Sequence, residues 1–446
     1  MADNRTTVDA GRMLDEGRWT TYQTLLIVAT ALTIILDGVD NQLLPNAIPT
    51  LIREWGQPRP AFTTALAIGP FGMMLGGLLG GLIGDRFGRR PALLGSVLAF
   101  GAFTAALAAA NTIETLTALR FLAGLGLGGA MPNAATLASE YVPQRYRPLA
   151  VTLTIVSIPL GGAVAGELAA MLIPTQGWRM LFGICGAASV LIAGGLWFVL
   201  PESPRFMARR RESWPALARV LRRSGHDVPD AAAFTDVGAQ RSSRANLTSL
   251  FSGGAARDTI AIWAAFFFGL MTNYVAVLLL PALLTGAEVG FSQPTASRAL
   301  AMWNYGGVVA AVLGAMAVQR IGSRVAMLSM TMVAVVCGAV LSAWPLDPEH
   351  ATGLLVMILL AGAGVGGVQT TMYALAAHIY PTEIRSTGVG TAVAVGRIGN
   401  VLAAYAASTA IDRGGPSGYF LTWSVFMLLV FAALASIKRH VPAVTG

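Results

Sequence analysis

Runs of roughly twenty predominantly apolar residues recur about twelve times along this 446-residue chain. A bilayer's hydrocarbon core is about 30 Å thick, and a helix rising 1.5 Å per residue needs roughly twenty residues to cross it. The runs fall near 22–44, 62–84, 91–110, 115–138, 149–173, 179–200, 259–283, 296–318, 325–344, 353–377, 387–410 and 418–437. Only 12% of residues are charged, against about 25% in a soluble domain. Too little polar surface remains to wet a globule of this length, so lipid must be the solvent for much of the chain. The expected fold class is an all-α polytopic membrane protein of about twelve transmembrane helices.

The expected domains follow from where the polarity lies. Residues 1–21 form a cytoplasmic N-terminal segment, 22–200 a first six-helix bundle and 201–258 a polar linker rich in Arg, Ser and Asp. Residues 259–437 form a second six-helix bundle, and 438–446 a cytoplasmic tail. Segments facing the cytoplasm carry an excess of Lys and Arg. With both termini inside, only Arg53, Arg59, Arg179, Arg298 and Arg413 of the 30 basic residues fall in outer loops or at their edges. The net charge of +8 is therefore a topology signal facing an anionic leaflet, and no nucleic-acid partner is expected. The acids Asp3, Asp9, Asp15 and Glu16 are unlike the basic start of a cleaved signal peptide. Cys185 and Cys337 both sit in apolar runs, so neither a disulfide framework nor a metal cluster is expected, and no cofactor.

The two halves repeat. Gly84-Asp85-Arg86-Phe87-Gly88-Arg89-Arg90 after the second run matches Gln319-Arg320-Ile321-Gly322-Ser323-Arg324 after the eighth. Pro143-Gln144-Arg145-Tyr146-Arg147 after the fourth matches Pro381-Thr382-Glu383-Ile384-Arg385 after the tenth. Paired bundles joined by a linker are a transporter architecture, with the site near midplane between halves. Zinc-protease helices, phosphate-cradling loops and serine elbows are missing from the sequence, which argues against an enzyme. No selectivity-filter segment argues for a channel either.

The segment Gly81-Leu82-Ile83-Gly84-Asp85-Arg86-Phe87-Gly88-Arg89-Arg90 resembles the loop signature of the major facilitator superfamily. Leu36-Asp37-Gly38-Val39-Asp40 resembles the D-G-x-D signature on the first helix of the aromatic acid:proton symporters within it. The stretch from Arg120 to Asn133, the runs Ser139-Glu140-Tyr141-Val142-Pro143 and Pro201-Glu202-Ser203-Pro204-Arg205-Phe206, and Gly396-Arg397-Ile398-Gly399 fit the same family. The likeness covers both halves. It implies two pseudo-symmetric bundles with both termini inside, and proton-coupled uptake of an aromatic carboxylic acid by alternating access across a bacterial inner membrane. It implies a monomer, with protons, the acid and the bilayer as partners. A carrier for another organic anion or a sugar-like metabolite, symporter or exporter, is the alternative, since the loop signature is shared widely.

Five ionisable residues lie inside spans: Asp37, Asp40, Arg120, Glu167 and Arg397. Each costs about 2.5–3.5 kcal/mol at mid-depth unless it finds a partner or water. Asp37 and Asp40 are three apart and share a helix face. Arg120 lies at matching depth on an inward-running helix, so an Asp–Arg120 pair is expected. Alternation between paired and unpaired states would let one Asp load and release a proton. Glu167 departs from the family, whose fifth helix is usually small and apolar there; a second protonation site and a partner for a substrate hydroxyl are its two readings, and it is assigned to the proton-coupling group. Arg397 offers a planar fork for a carboxylate and is the expected anchor of the substrate's acid group. Asn133, Asn273, Tyr274, Trp303, Gln369 and Tyr373 are the further candidates for the substrate site, with Phe266 and Tyr305 as possible wall residues. Asp85, Arg86, Gly88, Arg89, Arg90, Glu140, Arg147, Glu383 and Arg385 are assigned to a cytoplasmic gate. There Asp85 would accept from a neighbouring helix N-terminus or an Arg. Gly72, Gly76, Gly80 and Gly84 recur every four residues and read as a packing face. Trp19, Trp55, Trp178, Trp197 and Trp344 sit near span ends as interface anchors.

Overall fold

A computed structural model describes residues 7–229, 232–235, 247–251, 255–381 and 384–443. The chain starts with a short strand β1 (Thr7–Asp9) and helix α1 (Ala10–Glu16). The first bundle holds α2 (Thr21–Trp55), α3 (Thr63–Phe87), α4 (Arg89–Leu107), α5 (Ile113–Tyr141) and α6 (Arg147–Val199). Short helices α7 (Pro204–Ala208) and α8 (Trp214–Arg223) and strand β2 (Ala233–Thr235) follow. The second bundle holds α9 (Ala256–Leu284), α10 (Gln293–Ile321), α11 (Ser323–Ala343), α12 (Ala351–Ile379) and α13 (Arg385–Ser436).

Nine described helices are long and apolar enough to cross a membrane. Two of these are double. α6 breaks at Gly177 (φ 80°) and α13 at Gly415 (φ 57°), a left-handed conformation that glycine reaches without Cβ strain. α5, at 29 residues, completes twelve crossings. The fold class expected from the sequence is the one observed. Most span ends shift by a few residues, and one differs more. The first span was expected to end near residue 44, but α2 continues to Trp55 through Pro45 and Pro49. A helix interior tolerates proline in a membrane when neighbours absorb the freed carbonyls. Here Pro45 frees the Asn41 carbonyl, four residues earlier, and Arg120 Nη2 donates to it at 3.1 Å.

The expected glycine face is the seam between α3 and α5. A Cβ on Gly72 would lie 2.6 Å from the Phe121 carbonyl oxygen, and one on Gly76 would overlap the Leu125 carbonyl. From the other side, Gly124 and Gly128 meet the carbonyls of Gly69 and Met73. The second bundle repeats the device between α10 and α12, where Gly306 faces the Leu359 carbonyl and Gly362 the Trp303 carbonyl. Lipid gives helices no hydrophobic reason to associate, so close backbone approach supplies the van der Waals contact instead.

The N-terminal segment and the linker, separate in sequence, fold together. β1 pairs in parallel with β2, Thr7 opposite Ala233. Leu14, Met207, Leu217, Leu221 and Phe234 form a small core beside them. Asp15 ties this body to the first bundle through an ion pair with Arg147 at the start of α6, and pairs within the body with Arg205 of α7 at 3.3 Å.

The seam geometry sets an expected outcome. Gly76→Leu and Gly362→Leu each force backbones apart and should lower stability by about 1–3 kcal/mol or more, read as a lower thermal-unfolding midpoint in detergent. Gly95→Ala, where a Cβ meets nothing within 4 Å, should leave that midpoint unchanged or slightly raised.

Candidate substrate site and buried charge cluster

The innermost polar cluster begins on α2. Asp40 is buried, and Arg120 of α5 reaches it with Nη1 donating to Oδ2 at 3.0 Å. The same Nη1 donates to the Asp40 carbonyl at 3.3 Å, and Nη2 to the Asn41 carbonyl at 3.1 Å. Thr104 of α4 donates to the other carboxylate oxygen of Asp40. Gly69 of α3 leaves room for the guanidinium, since a Cβ there would lie 3.0 Å from Arg120 Nε. The expected Asp–Arg120 pair therefore forms, with Asp40 as the partner.

Asp37, one turn earlier, is only 3% exposed and has no hydrogen-bond or ion-pair partner among the described residues. It lines a cavity of about 160 Å³ between the bundles. A cavity of roughly 150 Å³ is enough to hold one benzene ring. Arg397 of α13 lines the same cavity from the opposite bundle. Its Nη1 donates to the Met73 carbonyl at 3.3 Å, over Gly77, where any Cβ would overlap that nitrogen. The charges that bear on Asp37 are Asp40, Arg397 and Arg120.

The cavity also brings together Asn273, Tyr274, Trp303, Gln369 and Tyr373. Trp303 Nε1 donates to Asn273 Oδ1 at 3.2 Å, and Asn41 Nδ2 donates to the Tyr274 hydroxyl at 3.1 Å. The sequence reading missed Asn41, Gln42, Thr370, Asn304 and Asn400, all of which line it. Their signal was present as uncharged polar residues inside apolar runs, two of them directly after Asp40. A search confined to charges and rings passes over them.

Four residues expected at the site lie elsewhere. Asn133 is fully buried, but Nδ2 donates to the carbonyls of Gly80 at 2.9 Å and Gly129 at 2.8 Å. Its amide is taken up by the backbone that the glycine seam uncovers, not turned to the cavity. Glu167 sits at the outer end of α6's first limb, 4.0 Å from Arg298 of α10, with both side chains partly exposed. It bridges the bundles apart from Asp37 and Asp40. Phe266 is buried against Tyr373 in an edge-to-face contact, centroids 5.2 Å apart, behind the cavity wall. Tyr305 does not line the cavity either.

The outer end of the interface is sealed. Gln42 and Asn304 exchange amide hydrogen bonds, each 2.8 Å, across the bundles. Gln293 Nε2 donates to the Asn46 carbonyl at 2.8 Å, and Arg59 pairs with Asp412. Gly162 and Gly166 let α6 lie against α10, where a Cβ on Gly166 would come 2.8 Å from the Ala301 Cβ.

At the cytoplasmic end Asp85, in the last turn of α3, pairs with Arg89, the first residue of α4. Of the two partners expected for Asp85, a helix N-terminus or an Arg, it takes the Arg, and the helix N-terminus is capped by another residue. Glu202 Oε1 accepts from the backbone N–H of Arg89 at 2.9 Å and of Arg90 at 3.1 Å, at the N-terminus of α4. A carboxylate there complements the helix dipole. Gly88 (φ 116°) makes room, since a Cβ would overlap Glu202 Oε2. Arg90 donates to the Trp197 carbonyl, Arg210 Nη2 to the Arg86 carbonyl at 2.7 Å, and Ser203 to Glu140. Arg147 Nε donates to the Ser139 carbonyl at 3.1 Å. Arg385 opens α13 in the other bundle, and Glu383 lies outside the described residues.

A model of the family described as sugar (and other) transporters matches residues 52–437. The chain belongs to this family, within the major facilitator superfamily. It is a multi-pass membrane transporter and not an enzyme. The chain is 34% identical to the 4-hydroxybenzoate transporter of Pseudomonas putida over 96% of its own length and 94% of that protein. It is 32% identical to the gallate transporter of Pseudomonas putida, covering 98% of each. These relatives bear out the resemblance read from Asp37-Gly38-Val39-Asp40 and its companion motifs. Among solved structures, the inward open conformation of the xylose transporter from Escherichia coli superposes with a TM-score of 0.72 at 17% identity, over 94% of this chain and 96% of that one. That likeness is one of fold.

The Asp40–Arg120 pair and the unpaired Asp37 should differ in what they do for stability. Removing one partner of a buried ion pair leaves an uncompensated charge, so Arg120→Ala should cost about 3–5 kcal/mol, seen as a sharply lower unfolding midpoint. Asp37→Asn removes a carboxylate that has no partner and should leave the midpoint level or higher. Equal losses from both substitutions would contradict the division of roles.

Proposed function

We propose that this transporter takes up a single-ring aromatic carboxylate together with a proton, across a bacterial inner membrane, as a monomer working by alternating access. The observation that carries the reading is that Asp37 and Arg397, one from each bundle, line one cavity of about 160 Å³. The curated relatives named for 4-hydroxybenzoate and gallate support the substrate class.

Charge bookkeeping gives the mechanism. Asp40 and Arg120 neutralise each other. Asp37 and Arg397 leave the empty cavity neutral as well. An entering carboxylate claims Arg397 through its fork, and Asp37 is left as a second anion in a poorly solvated site. At roughly 4 Å and an effective dielectric of 20, two like charges repel by about 4 kcal/mol. Protonation of Asp37 removes that repulsion, so anion and proton load together. The loaded cavity is again neutral, and one proton with one monovalent anion moves no net charge.

In this reading the bundles 22–200 and 259–437 rock about the cavity. Residues 201–258 join them, and residues 1–21 and 438–446 stay on the cytoplasmic side with the linker. Opening outward parts Gln42 from Asn304, Arg59 from Asp412 and Glu167 from Arg298. The motif around Asp85, Arg86, Gly88, Arg89 and Arg90, with Glu140, Arg147, Glu383 and Arg385, serves the cytoplasmic gate.

The test is uptake of radiolabelled benzoate and hydroxybenzoates into proteoliposomes under an imposed inward proton gradient. Transient accumulation abolished by a protonophore is expected. A potassium diffusion potential, worth about 2.3 kcal/mol per charge per 100 mV, should leave it unchanged. Asp37→Asn should abolish accumulation while keeping exchange of labelled for unlabelled acid. Arg397→Lys should raise the half-saturating concentration about tenfold, by losing the bidentate fork. Accumulation that survives Asp37→Asn would rule out the proton's assigned place.

A further inference from the structure

Most polar groups around the cavity already have partners. Asn41 serves the Tyr274 hydroxyl, Gln42 and Asn304 serve each other, and Asn273 accepts from Trp303. Asp37 has none among the described residues, and of the uncharged groups Asn400 carries a buried atom that has none either. It is 8% exposed and lines the cavity, and its Oδ1 is buried with no hydrogen-bond partner. A buried polar group without a partner is costly, and native structures hold few of them.

Its place on α13 says what could satisfy it. Val393, Arg397 and Asn400 line the cavity at i, i+4 and i+7, one stripe of a helix. Gly396 and Gly399 turn the adjoining face onto the carbonyls of Phe266 and Phe267 in α9. This packing fixes the rotation of α13 and keeps the Asn400 stripe on the cavity. Asn400 stands about 4.5 Å along the axis from Arg397, on the side of the sealed outer end. An acid held by Arg397 with its ring directed toward the outer end passes Asn400.

We propose that Asn400 is a specificity-determining residue whose side-chain amide receives a hydroxyl carried on the aromatic ring, at the end away from the carboxylate. The inference rests on the proposed function and deepens it. The carried acid is a hydroxylated one, and the bare ring is the poorer substrate because it leaves Oδ1 unpaired. A site built around a substrate hydroxyl discriminates against the analogue that lacks it, whereas an apolar pocket barely distinguishes the two. The hydroxyl both donates and accepts, so it suits the amide whichever end it meets.

The experiment is competition for binding to the full-length protein in detergent, with 4-hydroxybenzoate and benzoate as the probes. The quantity read is the ratio of their dissociation constants. The wild-type protein is expected to favour 4-hydroxybenzoate by about tenfold. Asn400→Leu should bring the ratio near one, and Asn400→Ser, which keeps a hydroxyl at shorter reach, should fall between. The ratio is independent of how much active protein each preparation holds, and the Ser variant reads it if the Leu variant is not recovered. A wild-type ratio near one, or a tenfold ratio that survives both substitutions, overturns the role of Asn400 and leaves the transport function standing. Binding of neither acid by the wild-type protein overturns the function itself, and this inference with it.

Discussion

The ion pair of Asp40 with Arg120 is the constraint on which the rest of the first bundle depends. Two charges in hydrocarbon depth are tolerable only if they meet, and their meeting fixes four helices at once. Asp40 belongs to α2, Arg120 to α5 and Thr104 to α4, while α3 yields space at Gly69. A buried pair contributes little net stability over an apolar core, and breaking it is expensive. Its value here is positional. With Asp40 neutralised, Asp37 is left alone on the same helix, facing the cavity and the Arg397 of the other bundle.

That arrangement needs helices close enough to share small polar groups, and glycine provides the approach. The α3–α5 seam and the α10–α12 seam are the same device in the two halves, with backbone carbonyls where side chains would otherwise stand. The outer contact of α6 with α10 uses Gly162 and Gly166 in the same manner, and there it joins the halves to each other. A seam without interlocking side chains holds by contact area and can part without unthreading rotamers. This suits the proposed opening and closing of the interface, which the pairs Gln42–Asn304 and Arg59–Asp412 cross.

Much of this was legible in the residues. Apolar run lengths gave the crossings, Arg placement gave the orientation, and the two loop motifs gave the repeat. Depth counting paired Arg120 with the first-helix acids. It could not choose between Asp37 and Asp40, because residues three apart share a face and differ by one turn in height. Asn133 was misplaced for a similar reason. It stands on a cavity-forming helix, but its rotation about the axis, set by the glycine seam, turns its amide to Gly80 and Gly129. Glu167 has the chemistry of a proton carrier, and only packing shows that it faces Arg298 at the outer rim.

The sequence by itself determined the solvent, the number of crossings, the sidedness and the family, because these rest on hydrophobicity summed over many residues and on motifs within short stretches. Tertiary structure decided which acid is paired and which is left open, which amides line the cavity, and that the N-terminal segment folds onto the linker. Those outcomes depend on the rotation of each helix about its axis and on contacts between residues far apart in the chain, 80 positions for Asp40 and Arg120. Local periodicity carries neither, since hydrogen bonds and close packing select partners in space and not along the chain.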